Sequence, residues 1–208
     1  MPRPRKLHDE FFKKAKAEGY AARSAYKLLE INEKKRVVRP GFFVLDCGCA
    51  PGSWLQVVEE IIGDRGLALG IDLQEVRTPF GPTVKVLRED VFAFDPTPYI
   101  EHAGRRFDAV LSDMAPNTTG HGDDYLSVRL CRRVLELLPR VLRPHGHLCM
   151  KVLEGEEFPQ LLKETRALFM DCGAMKPRAS RDISRETFIW AKGYRHGLDE
   201  HAAASESS

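Results

Sequence analysis

Asp46-Cys47-Gly48-Cys49-Ala50-Pro51-Gly52-Ser53-Trp54 follows directly on the apolar run Phe42-Phe43-Val44-Leu45, which the turn pair Pro40-Gly41 introduces. A short apolar run behind a turn signal reads as a buried strand. The small residues of 46–53 then lead into a helical stretch from about Trp54 to Ile62, which Gly63 ends. Strand, glycine loop and helix form the opening unit of a doubly wound sheet, whose ligand sits beyond the carboxyl ends of the strands. Gly48 and Gly52 stand where backbone must approach a ligand with no Cβ in the way.

Working outward, the chain alternates. Strands are expected at Leu67–Ile71, Thr83–Leu87, Phe107–Leu111 and His147–Leu153, with final strands from Met175 and from Phe188 to Ala191. Leu126 to Leu142 carries a strong 3.6-residue period and predicts a long helix with Asp124 as its cap, and Phe158 to Met170 predicts another. The resulting fold class is α/β, Rossmann-like, a mostly parallel sheet with helices on both faces. Residues 7–36 read as helical, with Gly19 separating two helices. The expected organisation is a basic helical extension over 1–39, one domain over 40–195 and a small, polar, disordered tail over 196–208.

The 208 residues suffice for one domain with one core. No apolar stretch approaches the ~20 residues of a bilayer span, and the basic N-terminus lacks the apolar core of a secretory signal. The five cysteines at 47, 49, 131, 149 and 172 form neither CxxC pairs nor a disulfide framework. They are expected to be buried thiols in a reducing cytoplasm. Net charge is +2 but uneven: residues 1–39 carry twelve Lys/Arg against five Asp/Glu, a local +7. Lys176 to Arg195 holds six basic residues and two acidic ones. Two basic segments on a near-neutral body fit a polyanionic partner met on one face.

The loop departs from the GxGxxG that seats a pyrophosphate on a helix N-terminus, having one glycine fewer and a proline before Gly52. A cofactor without phosphates fits better, and the amino-acid end of S-adenosylmethionine is such a ligand. Three acids then close successive strands. Asp72 is placed to accept hydrogen bonds from ribose hydroxyls, Asp90 to meet an adenine amino group, and Asp113 to stand at the reactive end.

Four further signatures accompany the loop: Arg23-Ser24-Ala25-Tyr26-Lys27-Leu28-Leu29-Glu30-Ile31, Ser112-Asp113-Met114-Ala115-Pro116-Asn117, Met150-Lys151-Val152 and Ser184-Arg185-Glu186. Together they resemble the FtsJ/RrmJ family of RNA ribose 2′-O-methyltransferases, from about residue 20 to 193. Within it the resemblance is strongest to the bacterial branch that methylates a uridine of 23S ribosomal RNA. The resemblance implies a catalytic tetrad of Lys27, Asp113, Lys151 and Glu186. It also implies contacts to S-adenosylmethionine from Gly52, Trp54, Asp72, Asp90 and Asp113. Cys49 and Ser53 stand where the bacterial enzymes commonly have Ala and Gly, both small exchanges.

A ribose hydroxyl is a poor nucleophile, so the protein must align it with the methyl and accommodate its proton and developing charge. Lys151 is expected as proton acceptor or as electrostatic clamp, with Lys27 supplying neighbouring positive charge and the two carboxylates orienting the lysines. No metal is expected, His145 and His147 included. Arg3, Arg5, Lys6, Lys13, Lys14, Lys16, Arg178, Arg181 and Arg185 are candidate RNA contacts. The implied partner is ribosomal RNA in the large subunit, met by a cytoplasmic monomer, since no exposed apolar heptad appears. The competing readings are a tRNA anticodon-loop 2′-O-methyltransferase of the same family, a catalytically silent RNA-binding assembly factor, and an oxidoreductase on a related fold. Retention of all four tetrad residues argues against the silent factor, and the missing GxGxxG argues against the oxidoreductase.

Overall fold

Seven strands lie in one sheet in the order β3-β2-β1-β4-β5-β7-β6. The computed structural model describes residues 6–116, 122–180 and 184–195. The tail expected after His196 lies outside them. In chain order the elements are α1 (Lys6–Glu18), α2 (Ala25–Lys35), β1 (Phe43–Cys47), α3 (Ser53–Ile62), β2 (Leu67–Asp72), β3 (Val84–Arg88), α4 (Thr97–Ala103), β4 (Phe107–Ser112), α5 (Asp123–Val141), β5 (Leu142–Leu153), α6 (Phe158–Leu168), β6 (Phe169–Met175) and β7 (Glu186–Tyr194). Strands β3, β2, β1, β4 and β5 run parallel, while β7 is antiparallel to both β5 and β6.

Every residue of β1 and β4 is buried, Asp46 and Asp108 included, so both read as mainly apolar runs. Alternate residues serve opposite faces. Leu45, Cys47, Leu69 and Val110 pack with Val128, Val134 and Leu138 of α5. Val44, Ala68, Ala109 and Leu111 face Leu55 and Val58 of α3 together with Leu28 and Ile31 of α2. The second helix of the expected N-terminal extension thus shares a core with the sheet. No helix among the described residues is long and apolar enough to cross a membrane.

Three local expectations are corrected, and one short helix adds to the expected elements. The N-cap of α5 is Gly122, in the left-handed region, so Asp124 lies inside the first turn rather than capping it. There it packs so closely on Gly155 that a Cβ at that glycine would collide with it. Helix α6 stops at Leu168, and Phe169 and Met170, read as helical, open β6 instead. β5 begins at Leu142, five residues early, because Phe107 pairs with Leu142 across an irregularity before regular pairing resumes at Ala109 and His147. The short helix α4, with a proline in its first turn, has too few residues to show a period.

Candidate active site

The loop after β1 is held by backbone hydrogen bonds to the end of β2. Gly48 and Cys49 donate to the Ile71 carbonyl at 2.8 and 3.2 Å, and Gly52 donates to Cys49 at 2.7 Å. Gly48, at φ 77°, has Met114 where a side chain would go. Gly52, at φ 111°, caps α3 and lies against Thr78 and Phe80. Both positions need glycine, for close approach and for backbone conformation alike.

Beside this loop, along the carboxyl edge of the sheet, opens a cavity of about 640 Å³. Gly48, Asp72, Asp90, Phe92, Asp113 and Met114 are among its lining residues. The three expected acids therefore stand in one cavity, while Gly52 and Trp54 are not part of its wall. Trp54 is buried, its indole N–H donating to the Ser24 carbonyl at 2.9 Å and its ring 5.8 Å from Phe188.

Asp72 and Asp90 also organise backbone. The two oxygens of Asp72 accept from the amides of Ala50 at 2.9 Å and Gln74 at 2.8 Å, tying the glycine loop to the loop after β2. Asp90 accepts from the amide of Phe92 at 2.9 Å, and its carbonyl receives Ala93 and Phe94. A carboxylate oxygen has a second lone pair, so each can still serve a ligand. The cavity suits S-adenosylmethionine on this chemistry: it has the size of a small-molecule site, and its four acids, Glu89 with the three expected ones, match a ligand with net positive charge.

The four tetrad residues form two pairs. Lys151, 8% exposed within β5, places Nζ 2.6 Å from the Asp113 carbonyl oxygen and 3.0 Å from its Oδ1. Lys27, 6% exposed on α2, places Nζ 2.7 and 2.8 Å from the two oxygens of Glu186, a residue 159 positions away. Lys27 is thus no surface lysine. Burial works to raise the Glu186 carboxyl, but the charge and hydrogen bond of Lys27, with Lys151 behind it, outweigh that and lower it. The segment before α2 is fixed to α3: Ser24 and Ser53 hydroxyls meet at 2.7 Å, Ala21 N–H donates to Gln56 at 2.8 Å, and Gln56 donates to the Gly19 carbonyl at 2.9 Å.

One acid beneath the site was not singled out from sequence. Asp46 on β1 is fully buried, and neither of its oxygens has a hydrogen-bond partner among the described residues. Burial, then the negative charges of Asp113 and Asp72, push its carboxyl up to about 8. The available signal was a charge closing an apolar run, the same signal that marked Lys151.

The cysteines are free, and all but Cys172 are buried. Burial pushes their thiols up, Cys131 to about 12, so they are not nucleophiles here. His147 is lowered by burial, and its Nδ1 lies 2.9 Å from the Val37 carbonyl. Among the candidate RNA contacts, Lys13, Lys14, Lys16, Arg178 and Arg185 are exposed. Arg3, Arg5 and Arg181 lie outside the described residues, as does Asn117, and so does the side chain of Lys6.

A sequence model described as FtsJ-like methyltransferase matches residues 20–194. The chain is 41% identical over 194 residues to ribosomal RNA large subunit methyltransferase E of Pseudomonas aeruginosa, covering 90% of this chain and 91% of that one. It is 39% identical over 188 residues to the protein of the same name from Desulfatibacillum aliphaticivorans, covering 88% and 90%. In fold it is similar to a Plasmodium falciparum chain described as a ribosomal RNA methyltransferase, with a TM-score of 0.72 and 24% identity over 84% of this chain and 98% of that one.

Proposed function

The chain belongs to the FtsJ-like methyltransferase family, and from that premise we propose that it moves the methyl group of S-adenosylmethionine to a ribose 2′-hydroxyl of large-subunit ribosomal RNA, at a uridine of 23S RNA. It works as a cytoplasmic monomer, with residues 1–39 as an RNA-facing extension. The observation that carries this reading is the double pairing of Lys151 with Asp113 and Lys27 with Glu186 beside a cavity lined by four acids.

When bound, S-adenosylmethionine supplies a methyl group on a sulfonium, already activated toward a nucleophile. Asp72 and Asp90 hold its nucleoside, and Asp113 holds the end nearest Lys151. Gly52 and Trp54 serve it through the first turn of α3, whose leading N–H groups have no partner within the helix. The ribose hydroxyl is activated by the tetrad, and its proton passes to solvent water as the oxygen attacks. The Lys151 ammonium donates to the Asp113 carbonyl and stands 3.0 Å from its Oδ1 in an ion pair, with donor capacity left to face the ribose oxygen and stabilise negative charge as it builds. Lys27 adds positive potential from α2, and Glu186 keeps that second ammonium in place at a tolerable electrostatic cost.

The test uses large ribosomal subunits from cells lacking the gene, supplied with S-adenosylmethionine carrying a labelled methyl. Wild-type protein should label one 2′-oxygen of 23S RNA, and that mark should be missing from the 2′-O-methylation map of the deleted strain. An intact ribosomal map alongside a lost transfer RNA mark would move the substrate to the anticodon loop. Binding of NAD without S-adenosylmethionine would end the methyltransferase reading.

A further inference from the structure

Among the exposed aromatic rings of the described residues, Phe12 has no part in the site described so far. Phe12 on α1 is 63% exposed, although its neighbour Phe11 packs on Tyr26 with ring centroids 5.5 Å apart. Single exposed apolar side chains are ordinary on protein surfaces. What distinguishes Phe12 is its company and its position.

Lys13 adjoins it and Lys16 lies one helical turn on, on the same side of the helix. Both are exposed, and neither is ion-paired among the described residues. Lys14 differs: it sits 3.8 Å from Glu18 and 4.8 Å from the centre of the Tyr26 ring. The ring of Phe12 is thus bordered by two cations that have no ion pair among the described residues, rather than by other apolar groups. A flat aromatic face with flanking positive charge suits an unpaired nucleotide, the ring taking the base and the ammoniums the phosphates. An apolar protein partner would need a wider apolar patch than one ring among lysines.

The mounting of α1 ties that ring to the active centre. Ala15 of α1 is buried in a small cluster with Tyr26 and Ala179, and Tyr26 donates to Glu18 at 2.7 Å. Tyr26 precedes Lys27, and Ala179 lies in the segment leading to Glu186. Helix α1 is therefore fastened next to both stretches of chain that supply the Lys27–Glu186 pair.

We propose that Phe12 is a stacking contact for an unpaired RNA base flanking the methylated nucleotide, with Lys13 and Lys16 neutralising adjacent phosphates. This rests on the RNA methyltransferase reading. Phe12→Leu keeps an apolar side chain but removes the aromatic face, whereas Phe12→Trp enlarges that face. The exposure of the ring makes both compatible with folding.

With undermethylated large subunits as substrate, Phe12→Leu and Phe12→Ala should raise the KM for subunits by about five- to a hundredfold, while kcat and the Kd for S-adenosylmethionine stay at wild-type values. Phe12→Trp should keep a low KM. Its fluorescence should be quenched by a single-stranded oligouridylate, a signal readable because Trp54 and Trp190 are 2% and 8% exposed. Replacing Lys13 and Lys16 with Gln should flatten the salt dependence of oligouridylate binding by about one unit of slope. A wild-type KM for Phe12→Leu, or a Phe12→Trp signal indifferent to RNA, overturns the proposal and leaves the enzyme reading intact. Wild-type protein that methylates no ribosomal RNA overturns both.

Discussion

The two ends of the cavity are built by different means. At the cofactor end the chain organises itself locally: Asp72 ties down Ala50 and Gln74, Asp90 ties down Phe92, and glycines supply the turns. At the chemical end nothing is local. Lys27 comes from a helix ahead of the sheet, Lys151 from β5 and Glu186 from the start of β7, and the contacts are ion pairs between side chains. A carboxylate that accepts backbone amides shapes a surface. One that accepts a buried ammonium sets the charge available to a reaction. The same residue type thus makes a binding wall at one end and an electrostatic device at the other.

The sharpest way to break this division is Lys151→Ala. It should cost about 10²–10³-fold or more in kcat, the scale of removing one fixed donor to developing charge. Calorimetry should find S-adenosylmethionine binding within about twofold of wild type. Lost cofactor affinity would mean that the two ends are one site. Next comes Glu186→Gln, which leaves the Lys27 ammonium buried without its counter-charge. Urea unfolding should show a loss of about 3 kcal/mol, with turnover falling as well. Unchanged stability would mean that Lys27 has another partner.

At the cofactor end, Asp72→Ala should weaken S-adenosylmethionine binding by about 10–100-fold, on the order of the 1.4 kcal/mol per decade that one or two lost hydrogen bonds carry. Its kcat at saturating cofactor should be preserved far better than that of Lys151→Ala. Equal losses in both parameters would erase the distinction between the two ends. The last prediction is read in stability against pH rather than in turnover, and it concerns Asp46, beneath the site. Its carboxyl is raised from 3.8 to about 8, so the folded chain keeps a proton that the unfolded chain gives up. That contribution to stability is complete in acid, declines as pH rises above about 4, and is lost once pH passes about 8. Asp46→Asn has no such proton, so its stability relative to wild type should climb across that window, each unit of displacement being worth about 1.4 kcal/mol. A constant difference between the two proteins from pH 4 to 8 would show Asp46 ionised in the fold.

Legibility in the sequence splits along the same line. β1, β2 and β4 announce themselves because both of their faces are covered, so apolar residues fill most of their positions. The end of α6 does not, since Phe169 and Met170 continue its apolar period and no glycine or proline marks the change. The cap of α5 was misplaced because Asp124 has the chemistry of a cap, while Gly122 has the backbone conformation of one. The cavity acids could be found from strand ends alone. The tetrad could be found only through motif resemblance, because an isolated Lys27 on a helix carries no mark of burial. Asp46 escaped notice for the opposite reason: it sat inside the best-read stretch of the chain, where the glycines took the attention.

The Lys27–Glu186 pair also sets a clock. Its partners are 159 residues apart, so at ordinary rates of synthesis roughly 8–30 s separate the appearance of the first from that of the second. Throughout that interval the nascent chain already has its glycine loop and Lys27, and later its cavity acids and Lys151, but not the last charge of the set. With the proposed tetrad, activity would arrive late and all at once, when the start of β7 reaches the sheet.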